Sequence, residues 1–458
     1  MRDDVACRLG PTRESLPRSA FERGPSERPL RVFVDADGCS GPLAQTIRTF
    51  GGNPNVYVED VRASQIEIGS DWRGSLTRSH GSRTTQHLVP VASTLEAIRG
   101  WGFELPNEPN IEERIGIAVG LAGSVGCDAF VTESSGLRRI AEAFAKESNP
   151  LAPETALSVI GLHLRLREDF VIRQNGPSRY QTNGTGYYSL VAHDLLREAE
   201  RWTDCCPGTE VLLGPSTAGL ARAVPSRVSR ALRARDRMHG YLLRIPSEAA
   251  VDEALFYFDG FLVALAGAFD AAAQVAARAY KVSRDHISWR DTPWRNRLVA
   301  VEPSLSSVLD QRCLDVIEML FALRNTVHGE TFHLIGLLHP NGEVANYHVS
   351  VPERNRQRLL DAAERLGGLE SWGLRNSEAT SLSFDLGRYV ETLLPNATAT
   401  LNSIMAAIDV DRFDDPDDEL IAAPSDVEDL TCEGRAAAST RDDVDRDLPI
   451  IRLLAGIG

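Results

Sequence analysis

At 458 residues the chain has room for about two to four domains with buried cores. With 43% hydrophobic and 25% charged residues it is neither a disulfide-dependent miniprotein nor wholly disordered. A formal net charge of −15 taken whole argues against a nucleic-acid partner, yet the charge is segmented: residues 409–447 hold 15 acids against 4 arginines, and residues 222–237 hold six arginines against Asp236 alone.

The leader, residues 1–29, is polar, lacks the apolar core of a secretory signal and is expected to be disordered. Leu30–Asp35 (LRVFVD) predicts a strand entering a buried sheet, with Asp35 and Asp37 at its exit, where an α/β fold places chemistry. Helix-like and strand-like segments follow at Pro42–Thr49, Asn55–Val61 and Ser93–Arg99, then a helix over Ile111–Val125 with Glu112 and Glu113 in its first turn. An apolar strand ends at Thr132-Glu133, before a helix over Gly136–Lys146. This alternation predicts a three-layer α/β domain with a parallel sheet over residues 30–149.

Residues 150–245 form a mostly helical connector: Thr155–Arg167 and Leu195–Trp202 are expected helices, and Gln174–Tyr188, rich in Gly and Asn, an expected loop. Arg227, Arg230, Arg233 and Arg237 fall near one helical face, suited to RNA phosphates or to a solvated surface paired with the acidic tail. Residues 246–408 predict long helices at Glu248–Tyr280, Leu305–Val327, Pro352–Leu366 and Phe384–Ile408, with a β-hairpin around Asn341-Gly342. The most apolar stretch, Ala254–Ala277, is interrupted by Asp259 and Asp270 and fits a buried helix better than a membrane span. Trp289 and Trp294 are expected to pack the bundle, and residues 409–458 form an acidic tail that need not fold. Seven cysteines without framework or C-x-x-C spacing indicate a reducing cytoplasm and no zinc knuckle.

Carboxylates gathered at the ends of parallel strands are what a Mg²⁺-dependent phosphodiesterase needs, because hard ions take oxygen ligands and activate water. Asp35, Asp37, Glu133 and Glu112 or Glu113 are the candidates, with Glu59 and Asp60 as a further pair. The strings VFVDADG, IEERIGIAVGLAGSVGCDAFVTES and SGLRRI resemble the start and end of a PilT N-terminal (PIN)-like nuclease domain, over about a quarter of the chain. The resemblance implies a Mg²⁺ or Mn²⁺ site at Asp35, Asp37, Glu113 and Glu133, with Glu133 standing where the family usually has Asp. The DxDG string is also shared with haloacid dehalogenase-like phosphatases, which usually follow it with Thr where this chain has Cys39.

A second constellation lies at MLFALRNTVHGE, where Arg324 and His328 sit about 40° apart on one helical face beside Asn325. A His to move a proton and an Arg to stabilise phosphate charge suffice for metal-free RNA cleavage; the bland reading is a helix end stabilised by basic side chains. Together with the long helix EALFYFDGFLVALAGAFDAAAQVAARAY, the segment resembles the HEPN (higher eukaryotes and prokaryotes nucleotide-binding) helical bundle, though the three residues between Arg324 and His328 are fewer than usual there. The two resemblances imply a cytoplasmic endoribonuclease of a prokaryotic toxin or antiviral defence type, acting on RNA. The HEPN resemblance further implies dimerisation through the bundle, and whether a partner protein restrains the activity stays open in the sequence. The alternative is a non-catalytic RNA-binding or dimerisation protein with degenerate nuclease domains.

Overall fold

The computed structural model describes residues 21, 28–65, 72–78, 84–89, 96, 99–100, 115, 126–138, 150–175, 178–208, 215–244, 247–282, 286–327, 332–338, 344–377, 380–414 and 441–457. The chain divides into two compact units: Met1–Gly184 with Leu242–Ile245 and Thr440–Gly458, and Thr185–Tyr241 with Pro246–Ser439.

The first unit is built on a six-stranded sheet. In chain order its elements are β1 (Leu30–Asp35), α1 (Pro42–Thr49), β2 (Val56–Gln65), β3 (Trp72–Arg78), β4 (Thr84–Val89), β5 (Ala129–Val131), β6 (Pro150–Leu151), α2 (Pro153–Leu166), β7 (Phe170–Asn175) and β8 (Ser178–Thr182). The spatial order is β4-β3-β2-β1-β5-β6, with β2, β1, β5 and β6 parallel and β3 and β4 added antiparallel. β1 is central because its apolar run is continuous: Leu30, Val32, Phe33 and Val34 are all buried, as a strand covered on both faces requires. Pro42 opens α1 after the N-cap Gly41, and Ala44 and Ile47 face the core.

Three expectations are corrected here. Gln174–Tyr188 is not a loop: β7 and β8 form an antiparallel hairpin and a helix starts at Gly184, so local pairing overrides the Gly/Asn-rich composition. Described residues of the leader are ordered: Phe21 is buried edge-on to His163, and Arg28 makes two 2.6 Å hydrogen bonds to the buried Asp128. The tail is not structureless either, since helix α11 (Arg441–Leu454) packs on α2 with Ile451, Leu454, Ala455 and Ile457 buried. Ser158 Oγ donates to Leu453 O at 2.9 Å and Arg165 Nη1 to Leu454 O. Gly161 lets the two helices touch, for a Cβ there would overlap Leu454's carbonyl.

The second unit is mostly helical. Its elements are α3 (Gly184–Leu195), α4 (Ala199–Cys205), α5 (Thr217–Leu242), α6 (Glu248–Ala279), α7 (Thr292–Val301), α8 (Gln311–Val327), β9 (Leu334–Leu338), β10 (Val344–Ser350), α9 (Glu353–Arg365), β11 (Leu374–Ser377), β12 (Thr380–Asp385) and α10 (Leu386–Ala407). Ser247 caps α6 by accepting from Ala250 N. Phe258, on α6, packs against Phe332, Phe384 and Tyr389. Among the described residues α6 alone is long and apolar enough to cross a membrane, and its apolar window is mostly buried in the bundle. β9 and β10 pair antiparallel as a hairpin, joined by β12 and β11 in a four-stranded sheet that composition did not announce. Trp289 and Trp294 meet edge-on in the core at 5.2 Å.

Candidate functional site

β1 is followed by β2 on one side of it in the sheet, while β5 lies on the other side. The strand order therefore reverses between β1 and β5, and in open α/β sheets ligands bind outside the carboxyl ends of strands at such a switch point. Val34 pairs with Val131, so Asp35 and Thr132 leave the sheet side by side.

Asp35 is buried, and both its carboxylate oxygens accept hydrogen bonds: Oδ1 from Gly38 N at 3.0 Å and Oδ2 from the Thr132 hydroxyl at 3.1 Å. Thr132 Oγ1 in turn accepts from Ser134 N. Glu133 is exposed and leans over the loop after β1, where its Oε1 accepts from Gly41 N at 3.1 Å, at the positive end of α1. A Cβ at Gly41 would sit 2.8 Å from that oxygen, so a larger residue there would push the Glu133 carboxylate aside. Cys39 is buried between the two acids; burial, then the Glu133 and Asp35 charges, push its thiol up to about 12 against the pull of Arg48, leaving it a neutral packing group.

The other acids have different surroundings. Asp37 is exposed at 63% with the Arg62 guanidinium 3.8 Å away. Asp60 is paired with Arg48 at 2.6 Å, and the buried Glu59 lies 3.9 Å from Arg31. Glu113 and its neighbour Glu112 lie outside the described residues. Among the described residues no group of three His, Cys, Asp or Glu is gathered around a common point. Asp35 and Glu133 supply the hard oxygens that Mg²⁺ prefers. Sequence reading missed Arg48, whose Nη2 donates to Cys39 O and ties α1 to the same loop; its only signal was a basic residue in the last turn of a short helix.

In the second unit Arg324 and Asn325 occupy the last turn of α8, and His328 lies outside the described residues. Arg324 is half-buried and donates through Nη1 to Asn325 Oδ1 at 3.2 Å. The turn is tied to α9 by Asn355, whose Nδ2 donates to Ala322 O and to Thr326 Oγ1, both at 2.9 Å. The arginine run of α5 is not a uniform surface: Arg230 and Arg233 are exposed, Arg227 and Arg237 half-buried. Arg235, in the same run, is buried beside Asp236 and Glu391, and His239 Nε2 lies 2.6 Å from Glu391 Oε1. Burial pushes the Glu391 carboxyl up, but Arg235 and His239 outweigh it and hold it below the usual range.

No family model, curated protein or solved structure matches the chain.

Proposed function

We propose that the protein is an RNA-directed endoribonuclease of the toxin or antiviral defence type, with a PIN-like metal-dependent site in the first unit and a HEPN-like Arg324-His328 site in the second. The observation that carries this reading is that Asp35 and Glu133 flank one loop at the switch point of the parallel sheet. Asp35, Glu133 and Glu113 would hold the Mg²⁺ or Mn²⁺, with the exposed Asp37 at the rim. The metal, when bound, supplies an activated water and offsets charge on the cleaved phosphate. The chain's own residues hold the geometry: Thr132 and Gly38 orient Asp35, and Gly41 orients Glu133. At the other site, Arg324 meets phosphate charge and His328 moves the proton. Dimerisation through the bundle, a restraining partner and a cytoplasmic location belong to the same reading.

Cleavage of single-stranded RNA with and without chelator tests it. Chelator-sensitive cleavage lost in Asp35→Asn assigns the first site, and chelator-resistant cleavage lost in His328→Ala the second. Absence of cleavage with both Mg²⁺ and Mn²⁺ refutes the enzyme. One observation favours the non-catalytic alternative: both oxygens of Asp35 and one of Glu133 are already engaged by protein donors. A scaffold of that kind binds RNA or a second copy without hydrolysing anything, and takes up no Mn²⁺.

A further inference from the structure

In the second unit the exposed faces of α5 and α6 repeat one spacing with opposite charge. Between Arg222 and Arg233 the exposed residues of α5 are Arg222, Ser226, Arg230 and Arg233, a single stripe along the helix. On α6 the same intervals lead from Asp252 through Phe256 and Gly260 to Val263, all exposed, with Glu253 beside the first. Each stripe is about 16 Å long. One carries three arginines, and the other three acids when Asp259, between Phe256 and Val263, is included. Among the described residues none of these six charged side chains enters a hydrogen bond or an ion pair.

The α6 stripe is incomplete by itself. Phe256 is 68% exposed and Val263 38%, so apolar surface stands in water there. A Cβ at Gly260 would meet nothing, and the helix is open to close approach at that point. Asp259 is half-buried, and its buried Oδ1 has no hydrogen-bond partner among the described residues. Burial pushes its carboxyl up to about 6. An unpaired acid within an apolar stripe is satisfied by a donor brought from outside.

We propose that a second copy of this chain covers the α6 stripe with its α5 stripe, antiparallel, and that the contact is reciprocal. In that register the partner's Arg233 meets Asp252 and Glu253, the partner's Arg230 meets Asp259 and the Phe256 ring, and the partner's Ser226 lies over Gly260. A guanidinium suits both neighbours of Phe256, since it pairs with a carboxylate and stacks on an aromatic face. A two-fold contact lets each copy give its arginines and receive the other's. The interface rests on the reading of the bundle as a dimerisation module, and it assigns Arg230 and Arg233 to protein rather than to RNA.

Sedimentation velocity of the full chain over a concentration series tests it, with circular dichroism to verify that each variant is folded. The parent is expected to dimerise, less tightly as salt rises. Phe256→Ser is expected to raise the dimer dissociation constant about tenfold. Arg233→Glu in one chain, and Asp252→Arg with Glu253→Arg in another, are each expected to dimerise poorly alone and to associate when mixed, because reversal on both sides restores the pairing. A parent that stays monomeric refutes dimerisation and the interface together. A parent dimer that Phe256→Ser and both charge reversals leave unchanged keeps dimerisation and overturns this interface, as does a mixture that fails to associate. If Arg230→Ala with Arg233→Ala leaves the dimer intact and abolishes binding of a labelled single-stranded RNA, the α5 stripe belongs to RNA and the interface is overturned.

Discussion

The hydroxyl of Thr132 lies 3.1 Å from Asp35 Oδ2 and donates to it across the switch point of the sheet. Asp35 is buried, so loss of that donor removes a hydrogen bond from a carboxylate held in a dry place. Thr132→Val, of nearly the same shape, is expected to destabilise the first unit by about 1–3 kcal/mol, and Thr132→Ser to restore most of it. Urea unfolding followed by circular dichroism measures both. In the RNA assay Thr132→Val is expected to reduce chelator-sensitive cleavage and leave the chelator-resistant part unchanged.

The closure of α2 by the C-terminal helix makes Gly161 the point of closest approach. Gly161→Ala forces α11 outward and is expected to cost about 1–3 kcal/mol, as overpacking does in a well-filled core. Limited proteolysis should then cleave ahead of residue 441 sooner than in the parent. Deletion of residues 440–458 is expected to destabilise the unit as well, and in that background Gly161→Ala should have no further effect. A substitution equally harmful with and without the helix contradicts the contact.

His163 is buried at 0% exposure in α2, and burial, followed by the charge of Arg167, pushes its imidazole down to about 4. The remaining charges that bear on it are Asp128, which favours protonation, and Arg28, which opposes it. A folded-state value below the unfolded value near 6.5 means that protons bind the unfolded chain preferentially. The stability this contributes is present above about pH 6.5 and is lost as pH falls from there toward 4. Between pH 7 and pH 5 the loss amounts to about 2 kcal/mol. Unfolding free energies from urea titrations at the two pH values should differ by that much less in His163→Leu than in the parent, and an unchanged difference would show that His163 does not titrate on unfolding.

Asn355 ties the last turn of α8 to α9 through Ala322 O and Thr326 Oγ1. Asn355→Leu keeps the volume, removes both donations and leaves those acceptors buried, for a cost of about 1–3 kcal/mol. Because that turn carries Arg324 and Asn325, chelator-resistant RNA cleavage is expected to fall at temperatures where the variant stays folded. Chelator-sensitive cleavage, which the proposed function assigns to the other unit, should be unaffected. Equal loss of both activities would point to general unfolding instead.

Elements with a strong local pattern were legible in the amino-acid order. The continuous run of β1 can only be a strand covered on both faces, and the acids after it mark its exit. The length and apolarity of α6 announced a core helix, and Asn341-Gly342 announced the β9–β10 hairpin. β4 and β11 were missed because their short stretches owe their strand form to pairing with neighbours, and β3 and β12 although Trp72 and Leu76 in the one, and Leu382 and Phe384 in the other, recur at strand spacing.

Composition and periodicity alone thus determined the class of each unit, the buried strand with Asp35 at its end, and Arg324 on a helical face. They did not determine which charged groups meet. Asp35 and Thr132 are 97 positions apart, Ser158 and Leu453 295 apart, and periodicity carries no information over such separations. Helical period placed Arg227, Arg230, Arg233 and Arg237 near one face, but only the tertiary structure could lay Arg227 against α6 at Gly267 and leave Arg230 in solvent. The acidic tail shows the same division. Its charge is written in the sequence, whereas the docking of its last helix on α2 depends on a glycine nearly three hundred residues away that leaves room for a carbonyl.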